Sequence, residues 1–259
     1  RAKLLASVSI ALDAAEQAER NALQSGLFDT QESSDAQATA HYVATARWTE
    51  REQLLHEKAA LGFFLSGHPY HAYAAELSAF VNRRLGQVEP QRDPVLLAGI
   101  VIASRTQMTR RGKMAIVTLD DGSTQIEVTV FNELWDAQRS KIKEDELLLV
   151  EGKVQKDDYS GGLRITVEKL FTLSEARGRF ARRLQLTLNG GSDSASAKRL
   201  HSLLAPFRQG PCPIRLRYTN SEASAELPLP ENWRVQLDDS LITGLSEWLT
   251  PENVKIIYN

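Results

Sequence analysis

"MAIVTLDDGSTQIEVTVF", Met114 to Phe131, holds two alternating apolar runs separated by Asp-Gly. Asp-Gly between such runs is the strongest short-range hairpin signal, because both turn positions can take positive φ. On the second strand Ile126, Val128 and Val130 then share one face. Working outward, the same period extends on both sides. Upstream, "VLLAGIVIASR" (Val95 to Arg105) reads as a strand rich in β-branched residues, followed by the basic loop "TQMTRRGK". Downstream, "NELWDAQRSKI" reads as a short helix with Asn132 as N-cap. "ELLLVEGKVQKDDYSGGLRITVEKLFTL" supplies two more strands around a Gly-rich turn. Gly152 interrupts the first of them where a small barrel needs a bulge or a corner.

Five strands with one helix between the third and fourth is the arrangement of an OB-fold. The expected fold class is therefore multi-domain α+β. An N-terminal helical segment (1–92) precedes a five-stranded OB-fold β-barrel (93–175) and a C-terminal small α+β domain (176–259). In the first region "HYVATARWTEREQLLHEKAALGFFLSG" spaces Trp48, Leu54, Leu55, Leu61 and Phe64 to share a helix face, with Gly67 and His68-Pro69 as the stop. Residues 29–38 lack a period and read as a loop, and "VNRRLGQVEPQRDP" reads as a linker. The last region opens on "ARGRFARR", expected to be a solvated linker. Strands at 184–188, 213–218, 223–229 and 254–258 and helices at 194–208 and 240–249 follow. Leu200, Leu203, Leu204 and Phe207 on one helix, and Leu241, Leu245, Trp248 and Leu249 on the other, form core stripes. Trp233 and Trp248 are either interface anchors or buried rings.

The 259 residues carry a net charge of −2, so any nucleic-acid binding must come from local clusters. Cys212 is the only cysteine, which rules out an internal disulfide and fits a cytoplasmic location. The chain opens at Arg1 and is read as part of something longer; no signal peptide or membrane-length apolar run is present. Asp120 and Asp121 read as a turn, not a metal pair. "RRGKM" lacks phosphate-loop spacing, His68 and His71 lack a third ligand, and no nucleophile–base pair stands out. No catalytic residue, metal or cofactor is expected.

Two constellations remain. Arg105, Arg110, Arg111 and Lys113 cluster around the loop joining the first two strands, with no acidic neighbour in sequence. Lys153, Lys156, Tyr159 and Arg164 on the fourth and fifth strands extend that path, and Tyr159 and Phe131 are stacking candidates, with Phe131 equally placed to plug the barrel. Glu127, Asp157 and Asp158 oppose this reading, so weak binding of single-stranded DNA without sequence preference is expected. The second constellation is "QSGLF", where Leu27 and Phe28 form an apolar pair that no regular pattern continues to bury.

The strings "EKAALGFFLSGHPY", "VTLDDGSTQIEVTVF" and "VQKDDYSGGLRITVEKL", in that order, resemble the C-terminal region of bacterial DNA polymerase III alpha subunits of the DnaE type. The resemblance runs through the chain and is strongest from Glu57 to Phe180. It implies that Gln24, Leu27 and Phe28 are a motif for the beta sliding clamp, that the OB-fold contacts single-stranded template, and that the last domain docks the tau subunit of the clamp loader. The catalytic palm of that family lies upstream of these strings. The competing readings are an anticodon-binding OB module of an aminoacyl-tRNA synthetase and a protein-binding scaffold.

Overall fold

In the computed structural model the chain is described over residues 1–23, 42–109, 112–157, 161–189, 194–219 and 224–258. It divides into two units, 1–67 and 68–259. The first holds α1 (Ala2–Ala6), α2 (Val8–Leu23) and α3 (Glu50–Leu61). Thr49 starts α3 with a capping box: its hydroxyl accepts from the Glu52 N–H, and the Glu52 carboxylate accepts from the Thr49 N–H at 2.8 Å. Gly62 ends it at φ +83°, donating to the Lys58 carbonyl. The expected stop at Gly67 is thus corrected: Gly62 comes first and adopts the left-handed cap without a Cβ penalty. The expected shared face is corrected too. Leu54 is buried, Leu55 and Leu61 are exposed, and Trp48 precedes the helix, stacking on His56 at 4.2 Å. Buried Glu57 accepts from the Leu65 and Ser66 N–H groups and the Ser66 hydroxyl, which ties that segment back to α3.

The second unit begins with "HPY". Tyr70 is buried and α4 (His71–Leu77) follows. The segment expected as a linker is corrected here: Val81, Leu85 and Val88 are buried. Their spacing presents apolar side chains to the barrel, and the Leu85 N–H is anchored on Asp121 at 3.0 Å.

The barrel closes in the order β1-β2-β3-β5-β4. Its elements are β1 (Val95–Thr109), β2 (Gly112–Asp120), β3 (Gln125–Phe131), α5 (Asn132–Gln138), β4 (Leu147–Lys156) and β5 (Leu163–Phe171). The β3–β5 pair is parallel and the other barrel pairs are antiparallel. Leu97, Val117, Leu119, Val128, Val130, Val150 and Ile165 fill the interior. Gly152 sits at a register shift in β4, where a Cβ would fall 2.5 Å from the Thr166 carbonyl oxygen. The bulge read from the sequence is therefore present, and it needs glycine. Asn132 is the first helical residue of α5 and makes no cap; Phe131 occupies the cap position.

After the barrel, α6 (Leu173–Phe180) carries the "ARGRF" of "ARGRFARR". This corrects the linker reading: Thr172 caps the helix, and Ala176 and Arg177 are buried. Arg177 donates to both Glu76 carboxylate oxygens at 2.7 and 2.8 Å and to Asp239 at 2.5 Å, and the Tyr258 hydroxyl also donates to Glu76. A solvated reading of an arginine run fails where acids from distant segments converge on it. Burial opposes the charge on Glu76, but the bonds from Arg177 outweigh it and hold its pKa below the usual carboxylate range.

The last domain follows as β6 (Arg183–Asn189), α7 (Ser194–Leu204), β7 (Arg208–Cys212), β8 (Ile214–Thr219), β9 (Ser224–Pro228), α8 (Asp239–Leu249) and β10 (Val254–Ile257). Its sheet runs β10-β6-β8-β9, with β6 and β8 parallel. Helix α7 stops four residues short of the expected Arg208, because Pro206 interrupts the helical hydrogen-bond ladder, and β7 starts at Arg208. Trp233 and Trp248 pack against the core formed by Leu204, Leu241 and Leu245.

Candidate nucleic-acid interface

Strand parity decides what the barrel presents outward. On β2 and β3, Ala115, Val117, Leu119, Val128 and Val130 are buried, so Met114, Ile116, Thr129 and Phe131 take the opposite face. Registers then align this outer face in rows. Arg105 pairs with Ile116, which pairs with Thr129, and Gln107 pairs with Met114, which pairs with Phe131. Thr129 continues to Thr166 on β5, and Thr166 continues to Lys153 on β4. Phe131 is 42% exposed on this outer surface, which resolves its two readings: it does not plug the barrel.

The cations on this face are mostly paired. Arg105 donates to both oxygens of Glu127 at 2.9 and 3.0 Å. Lys153 lies 2.8 Å from Glu168, and Arg164 lies 2.5 Å from Asp157. The expectation that the Arg105 cluster lacks an acidic neighbour is therefore corrected. Glu127 lies 22 residues away in sequence, and only the pairing of β1, β2 and β3 brings it across. Lys113 and Lys156 have no carboxylate partner among the described residues, with Lys156 exposed and Lys113 half-buried. Arg110, Arg111 and Tyr159 lie outside the described residues, as do Gln24, Leu27 and Phe28. Sequence reading missed the exposed apolar side chains of Met108 (78% exposed) and Leu163. Met108 pairs with Lys113 on the parity of buried Ala115 and Val117, and Leu163 shares the parity of buried Ile165, so alternation gave no signal of their exposure.

Exposed ion pairs contribute about 0–1 kcal/mol each, so replacing a carboxylate partner by a phosphate costs little and gains little directly. A base stacked on an aromatic ring contributes about 1–3 kcal/mol. This face can therefore bind an extended polyanion with bases, weakly and in a salt-dependent way.

The Asp-Gly turn is structural. Asp121 is fully buried; its carboxylate accepts from the Ser123 N–H and hydroxyl, the Thr124 N–H and the Leu85 N–H. Burial works against its charge, yet these bonds prevail and hold its pKa below the ordinary value. Asp120 accepts from the Gly122 N–H at 2.7 Å and faces His68 Nε2 at 3.4 Å. The "HPY" segment thus docks on this hairpin turn: a Cβ at Gly122 would lie 3.2 Å from His71 and 3.3 Å from His68. Among the described residues no group of acidic, His or Cys side chains could hold a metal ion. Burial pushes the Cys212 thiol up to about 11, away from the reactive thiolate. No helix among the described residues is long and apolar enough to cross a membrane.

Comparison with known proteins accounts for this architecture. Residues 95–173 match the OB-fold nucleic acid binding domain family, and residues 199–249 match the DNA polymerase III subunit alpha, C-terminal domain family. The chain is 40% identical over 261 residues to the DNA polymerase III subunit alpha of Neisseria meningitidis serogroup B, covering 99% of this chain and 22% of that protein. It is 37% identical to the Pseudomonas aeruginosa subunit, over all of this chain and 22% of that protein, and 34% identical to the Escherichia coli K12 subunit, over all of this chain and 23% of that protein. The second OB-fold domain of replication protein A from Methanococcus maripaludis is similar at 23% identity and a TM-score of 0.29, over 35% of this chain and 93% of that one. The chain spans less than a quarter of the length of the polymerase subunits it matches. Along its whole length the chain is similar to the C-terminal part of bacterial DNA polymerase III alpha subunits, and residues 199–249 match the C-terminal domain of that family.

Proposed function

We propose that this chain is the guiding and tethering part of a cytoplasmic replicative DNA-directed DNA polymerase. Its outer barrel face holds single-stranded template weakly and without sequence preference. The observation that carries this reading is a Phe131 exposed on the open outer face of the barrel, one row from the Arg105–Ile116–Thr129–Thr166–Lys153 row, in a chain similar along its whole length to replicative polymerase subunits. Arg110, Arg111, Lys113, Lys156 and Tyr159 complete the path in this reading. Gln24, Leu27 and Phe28 bind the beta sliding clamp, with Leu27 and Phe28 each contributing about 1.5–3 kcal/mol on burial, offset by ordering of the segment. Ser25 and Gly26 make this a modest site. Attachment to a ring on the same DNA raises the local concentration of the polymerase without new template contacts. The last domain docks the tau subunit of the clamp loader. The anticodon-module and scaffold readings leave the match over the remaining two-thirds of the chain unexplained.

Titration of purified clamp with the wild-type chain and with Leu27→Ala/Phe28→Ala tests the tether. The double variant loses at least tenfold in affinity, since even half the expected burial exceeds 1.4 kcal/mol. Equal affinities refute it.

A further inference from the structure

The four-stranded sheet of the last domain is covered by helices on one face. Leu184, Leu186, Ile214, Leu216, Val254 and Ile256 join the core under α7 and α8. The alternate residues, by the two-residue period, point the other way. Across the paired strands this second face reads Ile257–Arg183 in one row, Lys255–Gln185–Arg215–Pro228 in the next and Thr187–Arg217–Glu226 in the third. Arg217 and Lys255 are exposed. Arg215 lies 2.9 Å from Glu226, and Arg217 lies 3.8 Å from the same carboxylate. Among the described residues of this face, four cations thus meet one carboxylate, although the whole chain carries −2.

We infer that this open sheet face is a second phosphate-binding surface, separate from the barrel, whose partner is a nucleic-acid backbone. Arg215 and Arg217 stand two residues apart on one strand, about 7 Å at strand rise, comparable with successive phosphates of a stretched single strand. Guanidinium forks suit phosphate geometry, and one glutamate shared by two arginines leaves each with donors to spare. The composition separates this partner from a protein one. Stable protein interfaces are enriched in aromatic residues and Met at their centres and depleted of charge, whereas these rows carry no aromatic residue or Met, and their apolar side chains, Ile257 and Pro228, lie at their ends. With no ring to stack a base, the face reads charge and not sequence, and it holds single and double strands alike.

The test is fluorescence anisotropy on the full chain with a labelled oligo-dT, a labelled duplex and labelled poly-glutamate. The variants are Arg217→Ala/Lys255→Ala, Arg105→Ala/Phe131→Ala, and the two pairs combined. Both sheet positions are exposed, and circular dichroism checks that the fold is kept. Loss of the two sheet cations makes the slope of log affinity against log salt shallower by about 1–2 for both nucleic acids. The same decrement appears in the barrel-variant background, so this site reads out even if the barrel proves inert. An unchanged slope and affinity for oligo-dT and duplex overturns the inference. Loss confined to poly-glutamate also overturns it and assigns the face to an acidic protein segment.

Discussion

The two sides of the barrel are built from the same alternating strands but meet different neighbours. On the β1/β4 side Ala98, Ile100 and Leu149 point out of the barrel and are covered by Tyr70, Leu77, Leu173 and Ala176. Those strands are apolar on both faces, which is why "VLLAGIVIA" and "ELLLV" read as nearly continuous apolar runs. On the β2/β3/β5 side the outward face stays open, and its side chains are Ile116, Glu127, Thr129, Phe131 and Arg164. A run without alternation therefore marks where the barrel is held, and clean alternation marks where it is free to meet a ligand. Arg177 ties the covering α6 to Glu76 and Asp239, and Asp121 fastens the β2–β3 turn to the Leu85 N–H; the open side carries Phe131 and the charges.

The largest way to break this contrast is at Arg177. Arg177→Met leaves the half-buried Glu76 carboxylate with only the Tyr258 hydroxyl as partner, and the chain loses about 3 kcal/mol of stability. Urea unfolding followed by both fluorescence and far-ultraviolet circular dichroism reads the loss, and it also separates the barrel and last-domain transitions. An unchanged midpoint would show that the joint rests on apolar packing alone. Next in size is Gly152→Ala. Its Cβ meets the Thr166 carbonyl, and the strain costs about 1–3 kcal/mol in thermal unfolding.

Much of this contrast was legible in the sequence. The hairpin, the Gly152 bulge, the strand order of texture and the apolar stripes of α7 and α8 follow from local periodicity and turn chemistry. What was not legible depends on contacts between distant segments. Glu127 reaches Arg105 only through two strand pairings. Arg177 looked like one of several solvated arginines until Glu76, about a hundred residues upstream, was folded against it. Val81, Leu85 and Val88 looked sparse beside Arg83, Arg84 and Pro90, yet three spaced apolar side chains suffice to anchor a segment on a barrel. Gly67 looked like the natural stop beside His-Pro, but Gly62 reached the left-handed conformation first.

A smaller effect sharpens the role of Asp121. Its folded-state pKa is depressed, so its contribution to stability is present above the ordinary carboxylate range and is lost as pH falls through the folded value. Asp121→Asn therefore flattens the loss of stability with acid below about pH 4, measured as urea midpoints at successive pH values. Parallel acid limbs for the two proteins would contradict that assignment.

The central claim is that the open barrel face binds single-stranded DNA through Phe131, and Phe131→Ala tests it most directly. Binding of a labelled oligo-dT to the variant and the parent chain, at one low salt concentration and with thermal unfolding as a control, gives the answer. The account predicts an affinity about tenfold lower, from the loss of one stacking platform of about 1–3 kcal/mol, with a melting temperature close to that of the parent. Equal affinity in a folded variant would contradict it.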